Sequence, residues 1–150
     1  MSAKIAFYTA CKVFIEQRIL AARTAMLSAQ ESSNSETKSS AGDKYETGRE
    51  LANQERDRNA TQLQEAKQLL AVLQKISMEQ ACDTVRPGAV VRTNLGLFYI
   101  SIGAGKLSTA GGQEFLAVSL AAPVAAILSG KRAGDEVLFN GKLVRVEEVN

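Results

Sequence analysis

The sequence predicts an α+β fold: an N-terminal antiparallel helical hairpin, or coiled coil, followed by a small β-sheet domain with one short helix. Three observations carry this. Residues 4–76 contain no Pro, and their only glycines are Gly42 and Gly48. Apolar residues recur there at alternating spacings of three and four, on either side of a polar stretch. Beyond residue 77 the pattern shortens to runs of strand length, closing on Asn140-Gly141 between Val137-Leu138-Phe139 and Leu143-Val144-Arg145-Val146. Asn-Gly favours the left-handed backbone of a type I′ turn, so residues 137–147 read as a β-hairpin.

The first helix follows from the series Tyr8, Lys12, Ile15, Ile19, Ala22, Met26 and Ala29, apolar at six of its seven positions. That is the seam of a helix pairing with another helix. Residues 5–30 in this state form a prong of about 39 Å at 1.5 Å per residue. In the second helix the series Leu63, Ala66, Leu70, Leu73 forms the matching seam. Traced backwards it meets Asn59, Arg56, Ala52, Arg49 and Tyr45, mostly polar. Packing is therefore expected to be tight near 63–76 and looser towards 45–59, with a polar tip suited to probing a partner. Glu31 to Asp43 holds five serines, an asparagine and a glycine, residues that favour caps and turns, so a tip loop is expected at about 31–44.

A boundary near Ser77–Pro87 divides the chain into residues 1–76 and 77–150. Ala89–Arg92, Leu97–Ile102 and Gln113–Leu120 have strand character, with Phe98, Ile100 and Ile102 alternating onto one face. Asn94 to Gly96 supplies a turn, and Gly103 to Gly112 a glycine-rich loop. Pro123 opens a short helix through Leu128, which Gly130 ends.

Composition narrows the function. Lys and Arg exceed Asp and Glu by 11 to 9 in residues 1–78 and match them 7 to 7 in residues 79–150. Neither half resembles a basic arm that gains affinity by releasing counterions, so no strong direct DNA binding is expected. The absence of His removes the commonest general base and metal ligand. Cys11 and Cys82 form no Cys-x-x-Cys pair, which argues against zinc and dithiol chemistry and fits a reducing, cytoplasmic setting. Phe7-Tyr-Thr-Ala-Cys11 is a poor lipoprotein site, since Lys12 follows at once. The apolar run from Phe115 to Leu128 is broken by Ser119 and Pro123 and falls short of the ~20 residues of a span, so no membrane association is expected.

Ile102-Gly-Ala-Gly-Lys106 has the flavour of a phosphate loop, but Ile100 and Leu107 stand where Gly and Ser or Thr are needed, so it reads as a hairpin loop. Asp43-Lys-Tyr-Glu46 is close to a capping box, Asp at the N-cap and Glu three residues on. The same two carboxylates, joined by Glu36, would also suit Mg²⁺, which often takes only one or two protein carboxylates. As a pair they would complete a site supplied by another molecule. Arg49, Arg56 and Arg58, interleaved with Glu50, Glu55 and Asp57, read as a salt-laced helix face.

Ser119-Leu-Ala-Ala-Pro123-Val-Ala-Ala-Ile-Leu-Ser-Gly-Lys131-Arg-Ala-Gly134-Asp135-Glu136-Val resembles the C-terminal signature of the bacterial Gre-type transcript cleavage factors, with Ala122 in place of their serine before the proline. The likeness continues through Phe139-Asn-Gly-Lys142 to Val149. It implies an antiparallel coiled coil over residues 1–76 and an FK506-binding-protein-like docking domain over 77–150. It further implies a monomeric, non-enzymatic elongation factor that enters the RNA polymerase secondary channel and approaches the nascent RNA 3′ end. The tip acids Asp43 and Glu46, with Glu36 as a third, would then assist the polymerase's own cleavage of backtracked RNA by holding its active-site Mg²⁺; no cofactor of the chain's own is implied. Gly42-Asp43-Lys44-Tyr45-Glu46 keeps the family's Gly-Asp-x-x-Glu spacing, with Thr47 for its Asn. A second register sets Ser35-Glu36 opposite Gly-Asp and leaves Ser39 at the second acid. The alternatives are a channel-binding inhibitor without cleavage activity, a peptidyl-prolyl isomerase, and a coiled-coil adaptor dimerising through Ile15, Ile19 and Leu70.

Overall fold

The computed structural model describes the backbone of residues 3–38 and 42–150, and the side chains of 4–28, 50, 51 and 53–150. The architecture is α+β: two long helices, α1 (Ala3–Lys38) and α2 (Gly42–Gln74), precede six strands and one short helix. The strands are β1 (Val90–Thr93), β2 (Gly96–Ile100), β3 (Gly105–Ser108), β4 (Glu114–Val118), β5 (Glu136–Phe139) and β6 (Lys142–Val149), and α3 (Pro123–Leu128) lies between β4 and β5. The chain divides into two compact units: Met1–Phe14 with Leu69–Asn150, and Ile15–Gln68. This differs from a division after residue 76, because the first turns of α1 and the last of α2 belong to the unit that holds the sheet.

Helix α1 spans 36 residues, about 54 Å at 1.5 Å per residue, and runs past residue 31, where a loop is expected from the serines. Ser, Thr and Asn each cost only a few tenths of a kcal/mol against Ala in a helix, and Glu31, Glu36 and Lys38 are good formers, so the composition lowers helicity without ending it. Along α2, Asn59, Ala66 and Leu73 are buried at intervals of seven, with Leu63 and Leu70 half-buried between them. In α1 the buried residues are Lys4, Phe7, Cys11, Ile15 and Ala22, while Ile19 and Met26 are half-buried. The expected step from Tyr8 to Lys12 is thus wrong: Lys12 is exposed and Cys11 takes the inward position, keeping the ammonium in water.

The sheet order is β3-β4-β2-β1-β6-β5; β2 and β4 run parallel and every other neighbouring pair is antiparallel. One face packs Val91, Phe98, Ile100, Val144 and Val146 against Ala125 and Leu128 of α3, with Val85 and Ala89. The opposite face carries Val90, Tyr99 and Phe115, all buried, and is covered by Phe7 of α1. Phe7 meets Phe115 edge-to-face at 4.9 Å between centroids and 86°, and Tyr99 at 6.0 Å. Such pairs add about 0.5–1.5 kcal/mol each beyond the burial of the rings. An alternation placing only Phe98, Ile100 and Ile102 inside is therefore incomplete, since Tyr99 and Ser101 between them are buried too.

The glycine-rich segment contains β3, which pairs with β4 from Gly105↔Ala117 to Ser108↔Glu114. At the β5–β6 turn, Asn140 (φ 51) and Gly141 (φ 78) both take the left-handed backbone that a type I′ turn requires. Gly88 (φ 95) meets a different need: its N–H donates to the Ile100 carbonyl at 2.7 Å, and a Cβ there would come within 3.1 Å of Ile76 Cγ2. The turn that follows α2 is thereby seated on the first residues of the sheet domain.

Candidate functional site

Of the three carboxylates at the expected tip, Glu36 lies on α1, and Asp43 and Glu46 lie in the first turns of α2. Their side chains fall outside the described residues, so both the capping and the metal-holding arrangements lie outside them as well. Among the described residues no group of three or more His, Cys, Asp or Glu gathers as a metal site would. Further along α2, Arg56 faces Asp57 at 3.8 Å, and Thr61 Oγ1 donates to the Asp57 carbonyl at 3.1 Å.

Lys106 forms an ion pair with Glu114 across the β3–β4 hairpin at 3.3 Å, a hairpin role rather than a phosphate-loop one. In the segment after α3, the Arg132 N–H donates to Asp135 Oδ2 at 2.8 Å, and the Asp135 carbonyl accepts from the Val146 N–H. Asp135 thus closes the turn that leads into β5. Of the four aromatic residues an isomerase pocket would draw on, Phe98, Tyr99 and Phe115 are buried and Phe139 is half-buried. Ile15, one of the residues an adaptor would use to dimerise, is fully buried within the chain.

A polar cluster that sequence reasoning missed lies where α1 meets the α2–β1 connector. The Lys4 ammonium, at 6% exposure, donates to the Gln80 carbonyl and lies 3.7 Å from Cys82 Sγ. From the other side Arg86 Nε donates to the same sulfur at 3.3 Å, and its Nη2 reaches the Ala81 carbonyl. Cys82 raises the Arg86 guanidinium further above its ordinary value, first through this hydrogen bond and then through its charge. Ser77 Oγ shapes the connector by accepting from the N–H groups of Glu79 and Gln80. The clue in the sequence is Lys4 itself, three residues before Phe7 and seven before Cys11, and so on the apolar side of α1.

Deeper in the same unit, Cys11 Sγ lies 3.7 Å from Ser101 Oγ. Burial pushes the Cys11 thiol up from 9.0 to about 11, partly offset by the Ser101 hydrogen bond. Tyr99 is fully buried, and its hydroxyl has no hydrogen-bond partner among the described residues. Burial first, then the charges of Cys11, Tyr8 and Cys82, raises the phenol above its ordinary value. A cavity of about 460 Å³ is lined by Lys4 and Phe7 of α1 with Glu79, Val90, Arg92 and Glu148 among others.

The chain matches no protein-family model and no curated protein. No helix among the described residues is long and apolar enough to cross a membrane.

Proposed function

We propose that this chain is a Gre-type elongation factor: a monomer that docks on RNA polymerase through a sheet domain of FK506-binding-protein-like fold and extends its helical hairpin into the secondary channel. The observation that carries this reading is how the resembling segment, Ser119–Val149, divides into elements. Pro123 opens α3, Gly130 (φ 79) and Gly134 (φ 96) turn the chain after it, Asp135 closes a turn, and Asn140-Gly141 joins β5 to β6. The glycine, proline and aspartate positions that carry the resemblance thus all stand at element boundaries. Two helices of 36 and 33 residues preceding the sheet add to this, since a channel probe needs length more than surface chemistry.

On this reading Asp43 and Glu46, with Glu36, complete the coordination of the polymerase's second Mg²⁺ and orient the water that cuts backtracked RNA. This is two-metal hydrolysis with one ligand shell finished in trans. Purified protein added to stalled, backtracked elongation complexes should shorten the transcript from its 3′ end. Asp43→Ala with Glu46→Ala should lower that rate by about tenfold or more while polymerase binding is retained. Binding that slows elongation without shortening RNA would identify a channel inhibitor instead. No binding to polymerase would end the proposal.

A further inference from the structure

The sheet face that Phe7 covers does not end at Val90 and Tyr99. Every second residue of a strand shares a face, so Arg92 lies on the same side of β1 as Val90. Its Cα partners are Leu97 on β2 and Glu148 on β6. Leu97, Arg92 and Glu148 therefore form one row across three strands, next to the row that holds Val90 and Tyr99. This second row lines the cavity of about 460 Å³, with Phe7 on the helix side and Glu79 on the connector side. All of these residues belong to the unit that contains the sheet.

The charges along that row are not spent on one another. An Arg and a Glu directly opposite across two strands ordinarily attract and close into a pair. Among the described residues Arg92 makes no ion pair, and Glu148 Oε1 accepts instead from Asn150 Nδ2 at 2.7 Å. The Glu79 carboxylate has no hydrogen-bond or ion-pair partner among the described residues either. Lys4 is already committed to the Gln80 carbonyl and adds only its apolar stem to the wall. One cavity thus presents a guanidinium, a carboxylate and the apolar surfaces of Phe7, Val90 and Leu97.

We propose that this cavity binds a free amino acid with an apolar side chain. Arg92 takes the α-carboxylate through two of its five donors, Glu79 takes the α-ammonium, and the side chain lies against Phe7, Val90 and Leu97. A phosphate ester fits worse, because Glu79 and Glu148 on the same walls repel a dianion. A wholly apolar ligand fits worse too, since it would strip water from Arg92 and Glu79 without pairing them. The volume stands towards the small end of the about 300–1,000 Å³ usual for small-molecule sites, which suits one residue better than a peptide. Because Phe7 comes from α1 and the row from the sheet, the bound amino acid also ties the first turns of the helix to the sheet. This site does not depend on the polymerase reading.

The test titrates L-leucine into the native full-length protein, labelled with ¹⁵N, and follows the backbone amide signals. Those of Arg92, Leu97 and Glu148 should shift together and saturate at millimolar ligand, and the urea midpoint should rise with leucine concentration. Glycine, which lacks the side chain, should bind about tenfold more weakly or worse. N-acetyl-L-leucine, without the ammonium, and L-leucinamide, without the carboxylate, should each lose about tenfold or more. Arg92→Gln and Glu79→Gln, both at exposed positions, should weaken L-leucine to a similar extent. The ligand series uses the unaltered protein, so it decides the matter whether or not either variant folds. Shifts that stay linear in leucine or miss this row overturn the proposal. So does N-acetyl-L-leucine or L-leucinamide binding as tightly as L-leucine.

Discussion

Cys11 shows how far one residue's position departs from what its neighbours in sequence suggest. A thiol and an ammonium are adjacent at residues 11 and 12, and either could be placed inward by counting threes and fours. The helix turns the thiol in, where Ser101 meets it at 3.7 Å, and the cost of charging it there raises its pKa from 9.0 to about 11. The unfolded chain sheds this proton near pH 9, whereas the folded chain keeps it until about pH 11. The folded state therefore binds more protons in that window. The contribution is complete below pH 9 and is lost as pH rises through about 11, at up to about 1.4 kcal/mol per pH unit. Urea unfolding at pH 8, 9, 10 and 11 should show this slope, and Cys11→Ala should flatten it between pH 9 and 10, below the range in which the raised Tyr99 phenol adds a slope of its own to both proteins. An equal slope in both proteins would mean that other groups cause the loss. Nothing local in the sequence separates the two cysteines, because what distinguishes them, Ser101 for one and Lys4 for the other, lies at least 78 residues away in the chain.

Among the elements, legibility follows how one-sided the burial is. The seam of α2 is plain in Leu63, Ala66, Leu70 and Leu73 because each faces inward, and the polar Asn59 continues it at 8% exposure. Strand β3 is invisible in the sequence because Gly105, Lys106 and Ser108 are exposed and only Leu107 is half-buried, so no alternation marks it. Within the expected tip loop, residues 31–38 and 42–44 are helical for a related reason, since weak helix formers in number still do not stop a helix. Helix α3 is legible from Pro123 alone, yet it lacks a cap: Ala122 has the extended backbone of an N-cap (φ −65, ψ 143) but no side-chain oxygen for the free N–H groups. Ala122→Ser should stabilise the protein by about 1 kcal/mol, read as a higher urea midpoint with an unchanged slope. No gain would show that the half-buried Ala122 methyl packs too well against the core to be exchanged.

For the molecule as a whole, the boundary between helices and sheet was legible as a change of pattern but not as a division of the core. Pattern locates where secondary structure changes, whereas a core is set by contacts between distant residues such as Phe7, Tyr99 and Phe115. The tip acids illustrate the converse. They are picked out by residue type and spacing, and only their helical backbone is added by the structure. A fragment of residues 77–150, cut where the pattern changes, removes Phe7 and Leu73 and bares Tyr99 and Phe115. It should bind a hydrophobic dye and unfold at a much lower urea concentration than the full chain, because losing a buried aromatic ring alone costs about 3–5 kcal/mol. A fragment as stable as the intact protein would show that the helical base contributes nothing to the sheet.

The seating of Phe7 on Tyr99 and Phe115 also sets a timetable for synthesis. Phe7 leaves the ribosome before its ring partners Tyr99 and Phe115, so the apolar side of the first helix emerges long before the surface that covers it exists. During that interval the nascent chain presents a ready binding stripe to chaperones, and the sheet cannot reach its final packing until translation has passed residue 115.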